Sequence, residues 1–99
     1  AQPIVKSTTR RQIESILSEG LDDLYLSLSK EDKIKFKRKG EETASKIEKI
    51  IKSVKINFKK IVDLIKKWLT TIPGVNRFFL EQEAKIKTDE IINLAEKEK

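Results

Sequence analysis

Few residues in this chain are of the types that usually carry chemistry. It has no histidine and no cysteine. That removes the side chain that most often moves protons near neutral pH, and the thiolate that serves as nucleophile or zinc ligand. Serine and lysine are present, but no glycine-flanked serine turn or phosphate-cradling glycine loop accompanies them. Carboxylates cluster at Asp22-Asp23, Glu31-Asp32, Glu41-Glu42, Glu81/Glu83 and Asp89-Glu90. Such groups can hold a divalent cation. Most of these, however, fall where helices are expected to begin, and there a carboxylate offsets the positive end of the helix dipole. They are read as caps and solubilising charge. No metal, no cofactor and no catalytic residue is expected, and the chain is expected not to be an enzyme.

Lysine is the exception. Placed at 100° per residue on a helix, Lys49, Lys52, Lys55, Lys59, Lys60, Lys66 and Lys67 fall on one side. The net charge of +6 lies on the central helix and its lead-in, with residues 30–45 at +2 and residues 46–72 at +6, while residues 1–29 and 73–99 are each slightly acidic. A lysine face of this kind can contact phosphates, lie on an anionic membrane surface, or enter a groove in a protein partner. The bland alternative is a solvated outer face with no ligand. Arginine is scarce (Arg10, Arg11, Arg38 and Arg77) and no nucleic-acid-binding signature appears, so base-specific recognition is not expected. The densest basic run, Lys33, Lys35, Lys37, Arg38 and Lys39 around Phe36, is too short to be diagnostic.

The element that must position this face is apolar on its other side. Phe36, Gly40, Ala44, Ile47, Ile51, Val54, Phe58, Ile61, Ile65, Trp68 and Ile72 follow one another at alternating steps of four and three. A helix gathers that spacing into a stripe. Ile47, Ile51, Val54, Phe58, Ile61, Ile65 and Trp68 form its central seam, and Ile50, Val62 and Leu69 widen it. Ile56 and Leu64 are out of phase. The reading is one long central amphipathic helix starting at about residue 30 or 41 and ending at 72. The phase of Phe36, Gly40 and Ala44 favours continuity through Gly40. Small residues at 40 and 44 would then allow a close crossing with the first helix. Ile72-Pro73-Gly74 ends the rod, because proline cannot continue the hydrogen-bond ladder.

Two shorter helices flank it. Thr9 with Gln12 fits a capping box, and Ile13, Ile16, Leu17, Leu21, Leu24, Tyr25 and Leu28 keep helical spacing over about 9–28. Gly20 lies inside this span, as a bend or as a site of close backbone approach. Ser29 is the next expected cap. Asn76 is a cap for a helix over about 76–96, whose middle offers only Ala84 and Ile86 to a core. Trp68, Phe58, Phe78 and Phe79 are read as a core cluster beside the Pro73 turn rather than as a ligand pocket.

The expected architecture is all-α: a three-helix antiparallel bundle, with residues 1–8 as an N-terminal arm and 9–99 as one helical domain. If the flanking helices leave part of the seam uncovered, a second copy is its natural cover. The function expected is therefore a non-catalytic interaction or assembly module that self-associates. The alternative is an electrostatic binder of nucleic acid or anionic membrane through the lysine face of 46–67. No apolar run approaches the roughly 18–20 residues of a membrane span, and no leader pattern is visible. The chain is expected to be cytoplasmic, with Ala1 following a removed initiator methionine; cleavage of a leader before Ala1 is the other reading.

Overall fold

The structure, a computed structural model, describes residues 8–97. Among these residues there are five helices and no strand: α1 (Thr8–Ser18), α2 (Asp22–Ser27), α3 (Lys30–Ile51), α4 (Phe58–Leu69) and α5 (Arg77–Lys97). The all-α expectation holds. The three-helix plan does not, because two of its helices are broken. Most of the expected arm lies outside the described residues, and Thr8 is already helical.

The first break is at Gly20, whose φ of +75° closes α1 in the left-handed region. No atom lies within 4 Å of where its Cβ would be. Glycine is there for the bend, not for a close neighbour. Leu21 is then turned into the core, 2 % exposed, and the short α2 follows.

The second break overturns the long rod. Residues 52–57 form an elbow between α3 and α4. Lys52 ends α3, and the Ser53 hydroxyl sits 2.5 Å from the Ile50 carbonyl and 2.9 Å from that of Lys55. Asn57 then caps α4, its side-chain oxygen accepting from the Lys60 amide at 3.1 Å. These polar side chains supply the backbone with partners that a continuous helix would otherwise provide, and β-branched Val54 and Ile56 weaken the helical alternative. A straight helix over 30–72 would be about 64 Å long. The whole fold measures 40 × 39 × 18 Å, so the rod is doubled back.

Doubling back explains how the seam is hidden. Helices α1 and α3 pack together, as do α3 and α4, α4 and α5, and α5 and α1, closing a ring of four helices. Ile13, Leu17, Ile47, Ile61, Ile65, Leu69 and Ile91 fill its centre and are at most 2 % exposed. Helix α3 runs unbroken through Gly40. The neighbour that exploits the missing Cβ is α4, not α1: Trp68 lies over Gly40, stacks on Phe36 with centroids 4.6 Å apart, and donates from Nε1 to the Phe36 carbonyl at 3.0 Å.

Thr9 is not the cap of α1, which already includes Thr8 and buries Thr9 within its first turn, but the caps at Ser29 and Asn76 are as the sequence suggests. Ser29 accepts from the Asp32 amide at 3.2 Å, and Asn76 from the amides of Phe78 at 2.7 Å and Phe79 at 3.3 Å. Asp22, Asp23, Glu31 and Asp32 lie in the first turns of α2 and α3. Thr88 lies buried within α5, its hydroxyl donating back to the Ala84 carbonyl at 2.6 Å.

Candidate functional site

Of the seam residues, Ile47, Ile51, Ile61, Ile65 and Trp68 are buried, as the spacing predicts. Val54 and Phe58 are not. Val54 is 104 % exposed, as open as a residue in an extended chain, and Phe58 is 45 % exposed. Both are in phase with the seam, but they sit on the elbow that breaks it, where no neighbouring helix covers them. The out-of-phase Ile56 turns inward instead and packs against the core.

The lysine residues divide along with the rod. Lys49 and Lys52 are exposed at the end of α3, Lys55 in the elbow, Lys59 and Lys60 on the first turn of α4, and Lys67 farther along it, while Lys66 is half-buried. Lys52 is paired with Glu48 at 3.4 Å. The single lysine face therefore becomes a basic elbow with Lys66 and Lys67 set about 10 Å along α4. Residues 52–60 carry Lys52, Lys55, Lys59 and Lys60 and no acidic residue. The elbow combines four ammonium groups with two solvent-facing apolar side chains, held by Ser53, Asn57 and the inward Ile56. Chemically it can neutralise phosphates or carboxylates while offering hydrocarbon beside them.

The aromatic cluster differs from expectation. Phe58 and Phe78 are exposed and Phe79 is half-buried. Trp68 stacks with Phe36, which meets Tyr25 at 6.3 Å, and Lys33 lies 5.7 Å from the Tyr25 ring centre. A cleft of about 330 Å³ opens over these rings, with Leu17 and Leu21 below and Glu14 and Glu41 among its rim. Its floor is already close-packed: Leu17, Leu21, Phe36 and Trp68 are no more than 6 % exposed. It is a shallow recess over the core.

Two charged centres went unread in the sequence, and both hold the fold together. Arg10 reaches Glu48 at 3.1 Å and Ser45 at 3.4 Å, tying α1 to α3, with Glu48 7 % exposed. Lys87, only 2 % exposed, donates to the carbonyls of Ile16 at 3.2 Å and Glu19 at 2.7 Å, and pairs with Glu83 at 3.5 Å. It adds a donor to the Ile16 carbonyl, which also accepts from the Glu19 amide at 3.3 Å, and meets the Glu19 carbonyl just past the end of α1, where a cation also suits the dipole. Ile86, expected in the core, is 49 % exposed because Lys87 and Thr88 occupy that face. Beside Lys87, burial and then the Glu19 carboxyl push Glu90 above the usual carboxylate range. Among the described residues, no group of three acidic side chains is placed to hold a metal ion, and no helix is long and apolar enough to cross a membrane. The chain matches no protein-family model, and no curated protein or solved structure is significantly similar to it.

Proposed function

We propose that this protein is a non-catalytic helical docking module that binds an anionic partner through the basic elbow of residues 52–60. The observation that carries the reading is the concentration of Lys52, Lys55, Lys59 and Lys60 on one exposed, acid-free turn. Lys55, Lys59 and Lys60 have no ion pair among the described residues. The denser run Lys33, Lys35, Lys37, Arg38 and Lys39 is flanked on α3 by Glu31, Asp32, Glu41 and Glu42, with Lys39 paired to Glu42 at 3.6 Å, and Arg77 pairs with Glu81 at 3.5 Å. Self-association, which an uncovered seam would favour, loses its motive here, since α4 folds back over α3 and covers most of that seam.

The test is retention on heparin as salt is varied. Wild type is expected to bind at low salt, with log affinity falling by about one unit per log unit of salt for each lysine engaged, hence about three to four in all. The triple variant Lys55→Glu, Lys59→Glu, Lys60→Glu is expected to lose binding with its helical circular dichroism unchanged, since all three side chains are exposed. The control Lys35→Glu, Arg38→Glu on α3 is expected to weaken binding far less. Equal losses from the two variants would refute the elbow as the site, and absence of binding by wild type at low salt would refute the function.

A further inference from the structure

The lysines of the elbow account for attraction to anions, but not for Val54 and Phe58. A valine at 104 % exposure contributes no packing to the fold. Nor is the elbow an unstructured excursion. The Ser53 hydroxyl lies within hydrogen-bond reach of the carbonyls of Ile50 and Lys55, Asn57 caps α4, and Ile56 between the two exposed residues is half-buried against the core. The turn is built so that residue 56 points in and residue 54 points out.

Other large apolar side chains are also exposed, namely Leu26, Ile34, Phe78 and Ile86. Leu26 is on α2, Ile34 on α3, and Phe78 and Ile86 are eight residues apart on α5; scattered apolar side chains of this kind are ordinary for a protein surface. Val54 in the elbow and Phe58 at the start of α4 are four residues apart, two exposed apolar side chains within an acid-free stretch that carries Lys52, Lys55, Lys59 and Lys60, whereas the basic run 33–39 carries Ile34 alone. Phosphates of a nucleic acid would engage the lysines but leave the valine in water. A folded acidic protein needs a contact of about 20–30 residues on each partner, more than these nine residues supply. A bilayer imposes no shape. It accepts a small apolar tip at the boundary between headgroups and acyl chains, while its anionic headgroups hold the surrounding lysines.

We propose that residues 52–60 form a membrane-docking tip that seats Val54 and Phe58 among the lipids of an anionic bilayer, with Lys52, Lys55, Lys59 and Lys60 on the headgroups around them. The proposal rests on the reading of the elbow as an anion-docking site and adds the nature of the anion. No helix crosses the membrane in this arrangement; the ring of helices stays outside and only the turn enters.

The test uses the whole chain with two sets of sucrose-loaded vesicles, one of phosphatidylcholine alone and one with about one-third phosphatidylserine, the proportion that makes the surface strongly negative. Wild type is expected to sediment with the second set only. The double variant Val54→Ser, Phe58→Ser is expected to bind those vesicles about tenfold or more weakly, the loss that removing one or two partly inserted apolar side chains should cause, and to bind heparin as wild type does. The chain has no cysteine, so Val54→Cys can carry a single environment-sensitive fluorophore. Its emission is expected to shift to the blue on phosphatidylserine vesicles and to stay put on heparin or duplex DNA. Vesicle binding equal to wild type in the double variant, or an unshifted fluorophore on bound vesicles, would overturn insertion while leaving the electrostatic reading in place. Heparin binding without any vesicle binding would do the same. Binding to neither would end both.

Discussion

A methyl group added at Gly40 would stand 3.0 Å from Nε1 of Trp68 and 3.2 and 3.3 Å from two of its ring carbons. The indole has nowhere easy to go, because it is stacked on Phe36 and bonded to the Phe36 carbonyl. Gly40→Ala therefore sets two effects against each other. Alanine is better than glycine in a helix interior by about 1 kcal/mol; overpacking a buried contact costs about 1–3 kcal/mol. With the ring clamped on two sides the second is the larger, so the variant should be destabilised by about 1 kcal/mol net. Trp68 is the only tryptophan, which makes the check direct: urea unfolding followed by its fluorescence should show a lower midpoint and a redder native emission. A midpoint above wild type would mean that the indole moves freely and the Phe36 bond does not fix it. The same residue shows how far sequence reaches. That residue 40 had to be small was legible from its place in the seam. Which helix would press on it was not, since nothing in the periodicity says that the rod folds and brings residue 68 back beside residue 40.

At the scale of elements, the caps at Ser29 and Asn76 were legible because each stands where an apolar pattern starts afresh. Asn57 is the same kind of residue doing the same work, yet the pattern does not restart there. Ile51, Val54, Phe58 and Ile61 keep step across the elbow, since both arms of the folded rod bury faces that happen to resume in phase. Periodicity reports which face is apolar and is blind to a turn that preserves phase; the chemical cue was Ser53 and Asn57, two poor helix formers four residues apart. In α5 the failure has another cause. Lys87 lies on the buried face because its ammonium is received by the Ile16 and Glu19 carbonyls at the end of α1, partners that belong to a different element. If Asn57 holds the elbow, Asn57→Ala removes the cap and should cost about 1 kcal/mol. In a domain of this size that lowers Tm by about 4–8 °C. Asn57→Asp keeps an acceptor and should stay near wild type. Equal melting of all three proteins would show that the cap is idle and that Ile56 alone sets the turn. The outcome bears on the docking tip as well, because a looser elbow presents Val54 less consistently.

For the whole molecule, the question is what makes a ring of four modest helices hold, with 38 % of residues charged and 37 % hydrophobic. Helix α4 is the shared wall. It packs on α3 at one side and α5 at the other, and Ile61 at 0 % exposure stands between them. A domain of this length has about 5–15 kcal/mol of net stability. Burying a carboxylate without a partner costs several kcal/mol or more, and no lysine or arginine of α4 faces the interior to meet it: its basic side chains Lys59, Lys60 and Lys67 are exposed and Lys66 is half-buried. Ile61→Asp is thus expected to unfold the entire ring rather than one corner, with the helical circular dichroism and the native Trp68 emission lost together. Lys59→Glu, two residues away on the solvent side, should leave stability within about 0.5 kcal/mol of wild type while still weakening retention on heparin. The pair separates the two sides of the same short helix. An Ile61→Asp protein that kept its helices but lost only the Trp68 signal would mean that α4 docks as an independent flap, and that α1, α3 and α5 are stable without it.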